Sequence, residues 1–274
     1  MNFRGRLLST IITVSSIRGG VGKSSLSIEL ALYLSLKGKV LLIDTDFYAP
    51  TLLHEIKARN AQDIIKPSAY FRDVLRGFCS VDEVVVDLLP SFHVIFSDPN
   101  VNLWELSTDV GTKNFWIEDD PDKPSQTELG LAKLKEYVKG HNYEYVLFDS
   151  MAGLAYPVVF FSYLSDKPLF LTRPSLPQIN DIIGFVNLIG TMERPVNVIW
   201  SNVPNIDDYM QSTRDKLNKK IEENCGEKFN PLSIIPRDPK FEESALKGTL
   251  SMIPGKLNTI YFEYIQQIAE KINK

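Results

Sequence analysis

The stretch SSIRGGVGKSSLSIELA, residues Ser15 to Ala31, decides how this chain of 274 residues must be read. An apolar run ends near Ile17, Gly19, Gly20 and Gly22 follow, and from Lys23 the apolar residues Leu26, Leu30 and Leu34 recur at a helical period. Strand, glycine-rich turn and helix in that order aim successive backbone N–H groups into one concavity, to which the helix N-terminus adds partial positive charge. A polyphosphate can be held there largely by main chain, from Gly19 through Val21 to Ser25. The glycines remove side chains that would block the approach and admit unusual dihedrals. In such a loop Lys23 can reach the β and γ phosphates, the Ser24 hydroxyl can ligate Mg²⁺, and Ser25 can bond the α-phosphate.

Similar short apolar runs recur along the chain: KVLLIDT, FHVIFSD, YEYVLFDS, PLFLTR, VNVIWSN and LSIIP. Most lack polar alternation, as expected of strands covered on both faces. Helical patterns lie between them at Lys23 to Leu36, Gln126 to Lys139, Ala155 to Leu164, Gln178 to Met192 and Asp208 to Glu223, and a last one runs from Lys256 to Ile272. The alternation predicts an α/β fold: a single doubly wound domain over 1–274, its mostly parallel sheet flanked by helices on both faces. The irregular stretch from about 97 to 125, with Trp104 and Trp116, reads as a surface excursion whose tryptophans cap the core, or as a partner contact.

Charged residues make up 23% of the chain, hydrophobic ones 44%, and the formal net charge is -4, ordinary values for a soluble protein. Cys79 and Cys225 form no CxxC pair, which argues against a zinc ribbon or redox pair and fits a cytoplasmic location. The apolar run at the N-terminus is short, β-branched and continuous with the glycine loop, so it reads as a strand rather than a signal peptide.

Acids stand at the ends of two predicted strands. KVLLIDTD closes with Asp44 and Asp46, and YEYVLFDS closes with Asp149, all at the edge where the glycine loop opens. Adjacent carboxylates repel unless a cation or water network uses them, although turn or capping roles would also place acids here. Asn202 follows the VNVIWS strand, and Pro236 and Asp238 follow LSII. A side-chain amide there can pair with the donor and acceptor edge of adenine.

The run RGGVGKS resembles the deviant Walker A loop, KGGxGK[ST], of the ParA/MinD family of P-loop ATPases, with Arg18 where the family has a lysine. DSMAGL, residues 149–154, is similar to that family's D-x-P-A-G segment, with Met151 in place of proline. The resemblance covers about Ile11 to Gly248. It implies binding of ATP and ADP with Mg²⁺, a catalytic set of Lys23, Asp46 and Arg18, and metal-side roles for Ser24, Asp44 and Asp149. It further implies that Asp46 positions the attacking water, that Asn202 and the Pro236–Asp238 turn meet adenine, and that residues 151–154 report the γ-phosphate. In the family the extra lysine crosses a dimer interface to the partner's nucleotide. Arg18 would take that place in an ATP-bound homodimer, or else be a solvated or internally paired side chain.

The family's logic implies a cycle between ATP dimer and ADP monomer that partitions DNA or positions a cellular assembly, stimulated by a protein partner. Arg214, Lys216, Lys219, Lys220 and Lys247 leave non-specific DNA binding open. The terminal amphipathic run, with Ile260, Tyr264, Ile268 and Ile272 on one stripe, carries Glu263 and Glu270 and reads as core packing rather than membrane attachment. The alternative is a biosynthetic ligase or maturation enzyme on the same fold. A metal-cluster carrier would want paired cysteines, and a ligase would need added cations, for which Arg173 is the obvious candidate; Arg173 is otherwise expected near a dimer face or switch.

Overall fold

The computed structural model describes residues 9–59, 65–100, 112–116, 118, 120, 123–204, 208–253 and 259–273. Its elements, in chain order, are β1 (Thr10–Ser16), α1 (Lys23–Leu34), β2 (Val40–Thr45), α2 (Leu52–Arg59), α3 (Phe71–Leu75), β3 (Val85–Leu89), β4 (Phe92–Ile95), α4 (Lys113–Trp116) and α5 (Gln126–Gly140). Then follow β5 (Tyr145–Ala152), α6 (Tyr156–Leu164), β6 (Lys167–Thr172), α7 (Ile179–Ile189), β7 (Val196–Val203), α8 (Asp208–Cys225), β8 (Phe229–Pro236), α9 (Pro239–Leu246) and α10 (Ile260–Ile272). The strands form one sheet in the order β3-β4-β2-β5-β1-β6-β7-β8. All neighbours are parallel except β3, which runs antiparallel to β4.

Because side chains alternate across a strand, each buried strand supplies two cores. Leu42 and Leu147 meet α1 and α10 on one face, through Leu26, Leu30, Ile265 and Ile268. Leu41, Ile43, Val146 and Phe148 meet Leu134 of α5 and Phe161 of α6 on the other. A third cluster joins β6 and β7 to α7 and α8 through Phe170, Trp200, Phe185 and Ile221. This is the doubly wound α/β sheet expected from the alternation of strand and helix.

The sequence patterns do not announce β3, α2, α3, α4 or α9. β3 is a short edge strand whose residues are half-buried or exposed, so it lacks the unbroken apolar signature of the inner strands. Trp116 is buried against Phe47, Phe115, Phe160 and Phe161 and caps the core from the irregular stretch. Trp104 lies outside the described residues. The terminal helix buries Tyr261, Ile265, Ile268, Ala269 and Ile272 and leaves Ile260 exposed, so the apolar stripe is rotated from the expected one but does face the core. Among the described residues no helix is long and apolar enough to cross a membrane.

Candidate active site

The loop between β1 and α1 opens where the carboxyl ends of β2, β5, β1 and β6 lie side by side. Gly20 (φ 70°) and Gly22 (φ 94°) hold left-handed conformations, and a Cβ added at Gly19, Gly20 or Gly22 would meet nothing within 4 Å. Backbone conformation selects glycine at 20 and 22, and the space before the loop stays clear. Gly22 caps α1 without a side-chain partner and the first turn carries no acid, so the helix presents its amides without a competing carboxylate. The Val21 side chain is buried, which moors the loop to the core. The Ser16 hydroxyl donates to the Arg18 carbonyl at 2.8 Å, fixing the loop's entry.

Asp44 and Asp149 are direct partners in the β2/β5 register. They share parity with Leu42 and Leu147, so both face α1. Ser27, one turn into that helix, donates to Asp149 Oδ1 at 2.8 Å, and the Ser24 hydroxyl stands close enough to favour the ionised carboxylate. Burial pushes the Asp149 carboxyl up to about 6 despite both hydroxyls and the nearby Lys23 ammonium. Asp44 stands well above the usual carboxylate range, first through burial and then through repulsion from Asp149. Its Oδ2 is buried without a hydrogen-bond partner. An orphan carboxylate oxygen beside a second buried acid and a serine hydroxyl is a hard-oxygen donor set that suits Mg²⁺.

Asp46 is half-buried at the next turn. Its Oδ1 accepts from the N–H groups of Ala49 (2.9 Å) and Tyr48 (3.2 Å), while its own N–H donates to Asp44 Oδ1 at 2.9 Å. One of its oxygens therefore holds a turn. Lys23 is half-buried; Ser24 Oγ lies 3.4 Å from Thr51 Oγ1, and Ser25 donates to Glu55 Oε2 at 3.3 Å. After Asp149, β5 continues through Met151 to Ala152, which pairs with Ser16. The register shifts between Asp149 and Ala152, so residues 150–151 form a bulge in the β1/β5 ladder.

The two arginines diverge. Arg18 is exposed and pairs with Asp181 of α7 at 3.6 Å, so within one chain it is internally paired. Arg173 donates from Nη2 to the Gly20 carbonyl at 2.7 Å. Beside it a cleft of about 430 Å³ runs from Gly20, Gly22 and Ser25 past Asn202 to Pro236, Arg237 and Asp238, walled by Leu171, Phe241 and Tyr261. Asn202 holds a left-handed conformation, φ 52°. Asp238 Oδ1 accepts from the N–H groups of Lys240 and Phe241, and Oδ2 from that of Tyr261. Its carboxylate clips α9 to α10, which leaves Asn202 and main-chain groups to meet a ligand in the cleft.

The structure brings the loop and the three acids to one sheet edge, and beside them stand Ser27, Thr51, Glu55, Phe241 and Tyr261, which the sequence analysis does not name. Ser27 was legible as the residue one turn beyond Ser24. Glu55 and Phe241 lie on α2 and α9, Thr51 just before α2, and Tyr261 at the far end of the chain.

A family model described as the CobQ/CobB/MinD/ParA nucleotide binding domain matches residues 12–251. The septum site-determining protein MinD of Escherichia coli K12 is 28% identical over 191 residues, which cover 68% of this chain and 61% of that relative's length. In fold, the chain is similar to a plasmid partition protein of Borrelia burgdorferi bound to AMPPNP (TM-score 0.68, 21% identity, covering 96% of this chain and 98% of that one). MinD of Pyrococcus horikoshii complexed with Mg-ADP is likewise similar (TM-score 0.64, 20% identity, covering 97% and 96%).

Proposed function

Since the chain belongs to the CobQ/CobB/MinD/ParA nucleotide-binding family, we propose that it is a Mg²⁺-dependent ATPase whose ATP-bound form dimerises and whose ADP-bound form is monomeric. In this reading the amides from Gly19 to Ser25 hold the phosphates, with Lys23 on the β and γ oxygens. Ser24, Asp44 and Asp149 hold Mg²⁺, which supplies charge neutralisation on the phosphate oxygens when bound. Asp46 orients the attacking water by accepting its hydrogen bond, and the loop amides with Lys23 meet the charge that develops on the γ-phosphoryl oxygens. Asn202 and the main chain of 236–238 receive the adenine. Arg18 of a second copy, released from Asp181, completes the site.

The observation that carries this reading is the unpartnered Asp44 Oδ2 beside Asp149, on the face covered by the glycine-loop helix. The cycle would partition DNA or position a cellular assembly, with a protein partner accelerating hydrolysis. Lys216, Lys219 and Lys220 of α8 are exposed among Glu222 and Glu223, whereas Arg214 pairs with Asp215 and Lys247 with Glu243. The ligase alternative rests on Arg173 as its candidate substrate cation, and that arginine donates to the glycine loop.

The test is ATP turnover together with light-scattering mass, measured with Mg-ATP and Mg-ADP in the absence and presence of DNA or liposomes. Turnover with a doubling of mass in ATP is expected, and Asp46→Ala should retain the ATP dimer while losing turnover. A chain that binds ATP but neither hydrolyses it nor changes mass would sink the proposed cycle.

A further inference from the structure

We propose that Arg173 is a positioning residue for the glycine loop, acting within its own chain: by holding the Gly20 carbonyl it sets the direction in which the Val21 N–H meets bound phosphate. The inference rests on the nucleotide reading of the site and adds a residue to it.

Register brings the two groups together. β6 pairs with β1, with Val14 opposite Leu169 and Ser15 opposite Phe170, so the residue following β6 emerges beside the loop that follows β1. That residue is Arg173, and its Nη2 lies 2.7 Å from the Gly20 oxygen. The Gly20 carbonyl and the Val21 N–H lie on opposite edges of one planar trans peptide, so a bond that fixes the first also fixes the second.

Gly20 needs such a restraint. At φ 70° it has no side chain to limit its dihedrals, and a peptide flanked by glycine reorients easily. Downstream, the plane is moored by the buried Val21 side chain; upstream, Gly19 and Gly20 are exposed and offer no packing. Arg173 supplies the missing second point. The bond is charge-assisted and uses one of five guanidinium donors, leaving the others for a ligand in the cleft that Arg173 lines together with Gly20, Gly22 and Asn202. Arg18 does not share this work, because it faces Asp181.

The experiment is calorimetric titration of the full chain with Mg-ADP, a nucleotide that leaves it monomeric in the proposed cycle. Arg173→Ala should weaken Mg-ADP binding about tenfold or more, the scale of one lost charge-assisted bond. Its ligand-free melting temperature should stay unchanged, and Arg173→Lys should restore part of the affinity. Gly20→Ala strains the same peptide, so the double variant Gly20→Ala/Arg173→Ala should lose less affinity than the two single losses combined. Arg173→Ala affinity within twofold of the parent, or strictly additive losses in the cycle, would overturn the role of Arg173 and leave the nucleotide reading standing. A parent chain that binds no Mg-ADP would overturn both.

Discussion

Asp149 carries a pH dependence with a definite sign. Its carboxyl is raised to about 6 by burial, whereas in the unfolded chain it returns to its ordinary value of 3.8. Between those values the folded state holds a proton that the unfolded state has lost, so the metal-free protein loses stability as pH rises from about 4 to about 6. The contribution is on the order of 3 kcal/mol, and Asp44 adds to it in the same direction. In the proposed site the ionised acids would hold Mg²⁺, so its binding should respond oppositely and strengthen as pH rises through about 6. Asp149→Asn should flatten the urea-unfolding free energy against pH across this window; an unaltered slope would remove Asp149 as its source. At this scale the sequence was legible wherever function follows from a strand end, as for Asp44 and Asp149. It was not legible where one group is already engaged by another. Asp238 reads as a turn acid beside a base site, yet its oxygens go to backbone amides separated by some twenty residues, a contact set by how α9 and α10 dock.

Between elements, the polar contact of greatest consequence joins α1 to α2. Glu29 and Arg59 form an ion pair that is almost wholly buried, with Arg59 Nη2 lacking a hydrogen-bond partner. Burial raises the Glu29 carboxyl in spite of Arg59. Replacing Arg59 alone by methionine strands a buried acid and should cost roughly 3–5 kcal/mol, whereas Glu29→Leu together with Arg59→Met should recover most of that loss, because a buried pair gains little over well-packed apolar groups. Denaturant unfolding of the three variants measures both numbers, and a double variant as unstable as the single would contradict this account. No periodic signal announced the pair. α2 is short, and its Arg59 reads as a surface residue until the following elements fold over it. The long helices were legible because their apolar period is sustained, as in α5 and α7. The inner strands were legible because burial on both faces leaves them unbroken apolar runs. β3 had neither mark.

On the scale of the whole molecule, the Arg18–Asp181 contact bears on the proposed dimer, in which Arg18 would have to leave Asp181 before crossing an interface. An exposed pair of this kind contributes about 0–1 kcal/mol, so Asp181→Asn should leave thermal unfolding unchanged. If Arg18 acts across an interface, the same variant should shift ATP-dependent dimerisation by up to about fivefold toward the dimer, as read by sedimentation velocity. Weaker association would mean that Asp181 itself belongs to the interface. The strand order carries a consequence of another kind. Groups that converge on the cleft come from Gly20, Arg173, Asn202 and the turn at 236–238, and parallel neighbours require long crossovers before any can meet. A nascent chain leaving the ribosome therefore exposes its glycine loop early but cannot enclose a nucleotide until β8 has been translated and docked, and nucleotide capture would become one of the last events of maturation.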